Sequence, residues 1–206
     1  QTTLAVVGGA GAIGAAVAEL LAPNVQRMLL IGRQTDALTA VAEKARRAGC
    51  GDVVISTTVT DIVMAQVVVT VTSSGGNLIQ PELLRRGAVV CDVSRPRDVS
   101  QHVIHARDDV LVIDGGLVRV PGEVNFGFDY GLPPDLTYGC LAETMTLAFD
   151  GRFEDYSIGK NLSIEQVQEI EALATKHGFE LAALRSFEHK LEETLIQKVK
   201  AKAQIG

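Results

Sequence analysis

The sequence predicts a doubly wound α/β fold: a mostly parallel sheet of about six strands with a C-terminal helical appendage. Three observations predict it. Short Val/Ile-rich runs alternate with helical patterns through the first half of the chain. Those runs are nearly continuous in apolar residues, as strands covered on both faces must be. A glycine pattern, Gly9-Ala10-Gly11-Ala12-Ile13-Gly14, follows the first run directly and opens a helix, which is the context of a dinucleotide-binding turn.

The elements follow in order. Leu4–Val7 is the first strand, and the Ala-rich Gly11–Leu21 is the first helix. Arg27–Ile31 is a strand and Asp36–Ala48 a helix. Asp52–Thr57 and Gln66–Thr72 are strands joined by a short helical link at Asp61–Ala65. Ala88–Val93 and Val110–Asp114 complete the six. Gly122–Pro134 is rich in Gly, Pro and aromatics and reads as a loop. Leu136–Phe149 then reads as a helix capped by Asp135 or Thr137, with Gly151 as its stop. Ser163, with Gln166 three residues on, predicts a capping box for a helix over Ile164–His177 that Gly178 ends. Phe187, Leu191, Leu195 and Val199 recur at spacing four and predict an amphipathic helix over Phe187–Ala203. It would pack on the domain or on a sister subunit. This divides the chain into a nucleotide-binding domain, 1–134, and C-terminal helices, 135–206.

Composition excludes several classes. The 206 residues are 47% hydrophobic, too apolar for a disordered chain. A net charge of −6, from 19 Lys+Arg against 25 Asp+Glu, argues against binding a nucleic-acid backbone. Aromatics are 4% and Trp is absent, so base-stacking platforms are not expected. No apolar run reaches membrane-spanning length. Cys50, Cys91 and Cys140 lack metal-site or disulfide spacing. No metal is expected, and a reduced, cytoplasmic setting is the simplest. The chain begins Gln1-Thr2-Thr3, without Met or a signal-like segment. It reads as trimmed or cut from a longer polypeptide.

The glycine pattern assigns roles. Gly9 permits the tight turn, Gly11 lets backbone approach a pyrophosphate, and Gly14 lets helix and strand pack closely. The backbone of Ala10, Ala12 and Ile13 completes the cradle at the helix N-terminus. The second strand ends Ile31-Gly32-Arg33, where an NAD site would carry Asp or Glu. Arg33 suits a 2′-phosphate instead, so NADP(H) is expected over NAD(H). Thr72, Ser73 and Ser74, with Gly75 and Gly76, follow the fourth strand and are expected beside the ribose or nicotinamide; an ordinary turn is the alternative for each.

Cys140 lies in or near the first turn of the late helix, where the dipole favours an anion. On spacing alone it reads as a core cysteine. Glu143 shares its face at spacing three, as a proton-handling group or as a solvated carboxylate. His177 reads as a cation at a helix C-terminus. Lys160 faces cofactor or solvent. Arg95, Arg97, Arg107, His102 and His105 form a basic stretch that would meet an acidic carrier protein or remain a solvated linker.

From Thr3 to about Leu184 the chain resembles the cyanobacterial long-chain acyl-[acyl-carrier-protein] reductase family, which makes fatty aldehydes, and its wider dehydrogenase relatives. Besides the nucleotide loop, the resemblance rests on Asp92, Pro96-Arg97, Asp114-Gly115-Gly116 and Cys140-Leu141-Ala142-Glu143. Tyr156-Ser157-Ile158-Gly159-Lys160-Asn161 and Lys176-His177-Gly178-Phe179 follow in the same order. The family has Trp where Ile158 stands, and Arg119–Pro133 departs from it. The resemblance implies that Cys140 accepts the acyl group of a thioester on a carrier protein or CoA, and that NADPH reduces it to the aldehyde. It also implies a substrate-binding region outside this chain. The alternatives are a dehydrogenase acting on an amino, keto or imino substrate with Cys140 structural, and a non-catalytic cofactor-binding module. A homo-oligomer is compatible with either.

Overall fold

The computed structural model describes residues 2–159 and 162–203. It divides into two compact units, Gln1–Gly115 with Leu191–Gly206, and Gly116–Lys190. The sequence-based boundary at 134/135 differs from this division. The structure cuts after Gly115 and assigns the last helix to the first unit.

The first unit is built on strands β1 (Thr3–Val7), β2 (Arg27–Ile31), β3 (Asp52–Ser56), β4 (Val67–Thr70), β5 (Val89–Asp92) and β6 (Leu111–Asp114). All are parallel, in the order β3-β2-β1-β4-β5-β6. This is the doubly wound nucleotide-binding order, with its switch point between β1 and β4. Helices α1 (Ala12–Leu21), α2 (Thr35–Arg47) and α3 (His102–Ala106) connect strands. Leu4 to Val7 and Met28 to Ile31 are buried without a break, the signature of strands covered on both faces. In α1 the buried residues are Gly14, Ala16 and Ala18, and such small side chains let the helix lie close to the sheet. The link between β3 and β4 is a 3-10 turn, Val59–Met64.

The second unit holds an antiparallel sheet of β7 (Leu117–Arg119), β8 (Leu136–Tyr138) and β9 (Glu180–Leu181), in the order β8-β7-β9. With it come α4 (Gly139–Phe149), α5 (Ile164–Lys176) and the hairpin β10 (Arg185–Ser186) and β11 (His189–Lys190). Two expectations are corrected here. Leu136–Tyr138 is strand, not the start of the late helix, because β7 offers it a partner and Leu136 is buried with Leu117 and Ala182. The N-cap of α4 is therefore Tyr138, without a side-chain cap, and neither Asp135 nor Thr137 serves. Phe187 and Glu188 form the hairpin turn with φ of 46° and 72°, which no helix permits. The capping box at Ser163 is present, with both reciprocal hydrogen bonds to Gln166. His177 caps the far end of α5, and its Nε2 lies 3.0 Å from Asp150 Oδ1, which also accepts from Lys176. Lys160 lies outside the described residues.

The last helix, α6 (Glu193–Ala203), packs on β6 in the first unit. Val199 is buried. A Cβ on Gly87 would come 2.5 Å from Ala203 Cβ. Lys198 and Lys202 pair with Asp108 at 2.9 and 2.6 Å. These hydrogen bonds lower the Asp108 carboxyl from 3.8 to about 2. A depressed carboxyl pKa contributes stability above its unfolded value and loses that contribution as pH falls through the folded value. The tether is thus complete above pH 4 and lost toward pH 2. Asp108→Asn is expected to make the bonds after Lys198 and Lys202 faster trypsin sites at neutral pH. Unchanged cleavage rates would show that the apolar face alone holds α6.

Candidate functional site

The first cluster sits at the switch point of the parallel sheet. The chain leaves β1 through Gly8, whose φ is +85°. Gly8 and Gly9 both donate to the Ile31 carbonyl, at 2.9 and 3.2 Å. The turn glycine is therefore Gly8, which lies just before the motif, and not Gly9. A Cβ on Gly8 would stand 2.5 Å from the Val71 carbonyl oxygen at the end of β4. Gly14 plays the packing role expected of it: a Cβ there would lie 2.4 Å from Gly8 O. At exposed Gly11 an added Cβ would meet only Gly8 O, at 3.4 Å, so space lies open above it. Gly11 also caps α1 without a side-chain hydrogen bond. The first-turn N–H groups of α1, those of Ala12 and Ile13 among them, stand next to this open space. Ala10 is half-buried beneath the turn. Arg33 is exposed in the turn between β2 and α2.

Beside this turn lies a buried hydroxyl cluster that sequence reasoning missed. Asp98 is completely buried. Its Oδ2 accepts from Thr70 Oγ1 at 2.5 Å and from Ser94 Oγ at 2.6 Å. Its Oδ1 accepts from Thr72 Oγ1 at 2.7 Å and from Ser74 Oγ at 2.8 Å. Burial alone would push this carboxyl up, but the hydrogen bonds from Ser94, Thr70, Thr72 and Ser74 outweigh it and hold it below the usual range. The Thr72 and Ser74 hydroxyl protons are therefore turned inward, and Ser73 stands exposed between them. Asp92 is also buried; it accepts from the Ser94 and Val99 N–H groups, both at 2.9 Å, and burial pushes its carboxyl up. A clustered set of Thr and Ser at strand ends, with an Asp six residues after a strand, was the available signal.

The expected basic stretch is largely neutralised. Arg97 pairs with buried Asp114 at 3.0 Å, and Arg107 pairs with Asp109 at 2.7 Å. Arg107 also donates to the carbonyls of Pro81 and Leu84.

The second cluster belongs to the second unit. Cys140 is exposed in the first turn of α4, whereas Cys50 is buried and Cys91 half-buried. Its carbonyl accepts from the Thr144 hydroxyl at 3.1 Å. Glu143, one turn on, accepts from Ser157 Oγ at 2.5 Å. Glu143 and Thr144 line a cleft of about 670 Å³ with Leu147, Arg152, Tyr156 and Ser157, and Cys140 stands outside that lining. Burial and the Glu169 carboxylate push the Tyr156 phenol up to about 12. Tyr156 thus keeps its proton near neutral pH. Among the described residues no three His, Cys, Asp or Glu are grouped to hold a metal ion. No helix among them is long and apolar enough to cross a membrane.

A six-stranded parallel sheet with a glycine turn at its switch point defines a Rossmann-type nucleotide-binding domain of the dehydrogenase class. Residues 1–114 match the shikimate/quinate 5-dehydrogenase family, and the chain belongs to that family. The aminotransferase PigE of a Serratia species is 37% identical over 131 residues, covering 62% of this chain and 15% of that protein. The long-chain acyl-[acyl-carrier-protein] reductase of Synechococcus elongatus is 28% identical over 191 residues, covering 89% of this chain and 54% of the reductase. The chain therefore spans about half of one relative and a smaller part of the other. Among solved structures, quinate dehydrogenase from Corynebacterium glutamicum in complex with NAD is 26% identical, with a TM-score of 0.43, over 52% of this chain and 41% of that one.

Proposed function

We propose that this chain is the NADP-dependent reductase portion of an enzyme that converts an acyl thioester, on a carrier protein or CoA, to an aldehyde. The carrying observation is the exposed thiol of Cys140 on the first turn of α4, with Glu143 one turn behind it. The likeness to an acyl-[acyl-carrier-protein] reductase over 89% of the chain supports it. In this reading Cys140 Sγ attacks the thioester carbonyl and forms a new C–S bond as the donor's C–S bond breaks. Glu143 takes the proton from the thiol and returns it to the departing thiolate. The acyl group then remains on Cys140 as a thioester. A reduced nicotinamide, when bound, supplies hydride to that acyl carbon. The residues that fit it are Gly11, where space lies open for a pyrophosphate, with Gly8 and Gly14 holding the turn in place, and Arg33 for a 2′-phosphate. The region that selects the acyl group, the cytoplasmic setting and any homo-oligomer belong to the same proposal.

Two measurements test it. The chain incubated with palmitoyl-CoA but no NADPH is expected to gain one acyl mass on Cys140, and added NADPH to release aldehyde. Absence of both overturns the reading. Arg33→Gln is expected to weaken NADPH binding about tenfold to a hundredfold, the worth of charge-assisted hydrogen bonds. NADH affinity is expected to stay constant, and equal losses for both cofactors would refute the assignment of Arg33.

Family membership favours a second reading: a dehydrogenase of a keto, amino or imino substrate in which Cys140 has no chemical part. Turnover of such a substrate by a chain lacking Cys140 would select it.

A further inference from the structure

The Asp98 cluster has more order than a structural clamp needs. An ionised carboxylate is acceptor-only and offers about four lone-pair sites. Four hydroxyl groups surround it: Thr70 and Ser94 donate to Oδ2, Ser74 donates to Oδ1, and Thr72 Oγ1 lies between the two oxygens at 2.7 and 2.8 Å. Each hydroxyl has one proton; those of Thr70, Ser94 and Ser74 go to Asp98, and Thr72 Oγ1 stands within reach of both Asp98 oxygens and of Ser74 Oγ at 2.9 Å. The Thr72 N–H is held as well, by Ser94 Oγ at 2.9 Å. Thr72 Oγ1 in turn accepts from the Ser74 N–H at 3.1 Å. The loop after β4 is thereby fixed through side chain and backbone together. Its outer residue, Ser74, is exposed, and its proton points inward to Asp98. With its proton on Asp98 and Thr72 Oγ1 2.9 Å away on the inner side, what Ser74 Oγ offers outward is a remaining lone pair.

This loop stands at the switch point. Val71 donates to Val7 O at 2.9 Å, and Val71 O lies where a Cβ on Gly8 would strike it. A ligand seated on the glycine turn of β1 runs past the carboxyl end of β4 in this fold. A fixed acceptor there, backed by a buried negative charge, discriminates by chemistry. It repels a phosphate and accepts from a donor such as a ribose hydroxyl or a carboxamide N–H₂.

We infer that Asp98 is a positioning residue for the cofactor: it holds Thr72 and Ser74 so that Ser74 Oγ accepts a hydrogen bond from the nicotinamide-riboside half of the dinucleotide. This rests on the dinucleotide reading above, with the loop beside the ribose or nicotinamide, and adds to it what orients the loop and by what polarity it recognises the ligand. Asp98 touches no ligand itself. An amide at position 98 would present an N–H₂ donor to hydroxyl groups now donating to an oxygen, and those hydroxyl groups would reorient.

The test compares two probes, NADPH and 2′,5′-ADP, by titration calorimetry on the chain and its variants. The second probe carries the adenosine half and its 2′-phosphate but no nicotinamide riboside. Asp98→Asn is expected to weaken NADPH about tenfold or more and 2′,5′-ADP by less than about twofold, consistent with loss of one or more net hydrogen bonds. Ser74→Ala, at an exposed position that tolerates substitution, is expected to weaken NADPH about threefold to tenfold with the same indifference to 2′,5′-ADP. If Asp98→Asn fails to fold, Ser74→Ala alone decides. Wild-type affinity for NADPH in Ser74→Ala overturns the inference. Parallel loss of both probes in a folded variant overturns it too, since that is the mark of a merely structural role. Failure of the unaltered chain to bind either probe overturns the dinucleotide reading and this inference with it.

Discussion

Cys140→Ser is expected to lower aldehyde formation from an acyl thioester by at least about a thousandfold, the scale on which removal of a nucleophile is felt. NADPH affinity is expected to hold within about twofold, since Cys140 is not among the residues proposed to hold the dinucleotide. Serine keeps the size and a hydrogen-bonding atom but is a far poorer nucleophile at neutral pH. The position is exposed, so the stability change should stay within about 0.5 kcal/mol. The two other cysteines serve as internal controls. Burial pushes the Cys50 and Cys91 thiols up, so both remain neutral, with Cys50 buried and Cys91 half-buried. Iodoacetamide should therefore label Cys140 first in the folded chain, and prior labelling should block acyl transfer to the same extent as the substitution. Glu143→Gln should cost about a hundredfold by removing the proton carrier while retaining the hydrogen bond to Ser157. A Cys140→Ser chain with full turnover would instead select the dehydrogenase reading.

The sheet was legible because its strands announce themselves locally. Leu4 to Val7 and Met28 to Ile31 are apolar throughout, and only a strand covered on both faces needs that. The misread elements depend on partners far away in sequence. Leu136–Tyr138 continues the apolar pattern of the helix behind it, and nothing local reveals that Leu117–Arg119 pairs with it. Phe187 falls by coincidence on the four-residue spacing of the tail, while Val199 on the same stripe is truly buried. The site shows the same division. Gly11 and Gly14 are readable from the motif. Gly8 is not, because its constraint comes from Val71 across the switch point. Asp98 was invisible for the same reason: its four hydroxyl donors come from the end of β4, the loop after it and the loop after β5. A buried carboxylate is interpretable only once its donors are in place.

Gly14→Ala and Gly11→Ala are expected to part company, and that contrast separates a glycine kept for the fold from one kept for a ligand. At Gly14 an added Cβ meets Gly8 O at 2.4 Å and Gly9 Cα at 2.9 Å. Both are backbone atoms of the turn itself, so no side chain can swing aside. Helix α1 must move off β1 or the turn must open, and Gly8 cannot yield freely because Val71 O confines it. Overpacking of this kind costs about 1–3 kcal/mol. For a chain of this size that is a Tm fall of roughly 5 °C. Displacing the N-terminus of α1 also removes the anion site, so NADPH binding should fall by about a hundredfold or more. At Gly11 the added carbon meets only Gly8 O, at 3.4 Å, an ordinary contact. The unliganded fold should accept it, with Tm unchanged within about 1 °C, because exposed positions rarely cost more than a few tenths of a kcal/mol. Yet the methyl would occupy the space through which a pyrophosphate approaches the N–H groups of α1. NADPH and 2′,5′-ADP should therefore both weaken by about tenfold or more in Gly11→Ala, while thermal unfolding is untouched. A Gly11→Ala chain that binds both probes normally would place the dinucleotide elsewhere. One that loses stability as Gly14→Ala does would mean that the open space above Gly11 serves the fold and not a ligand.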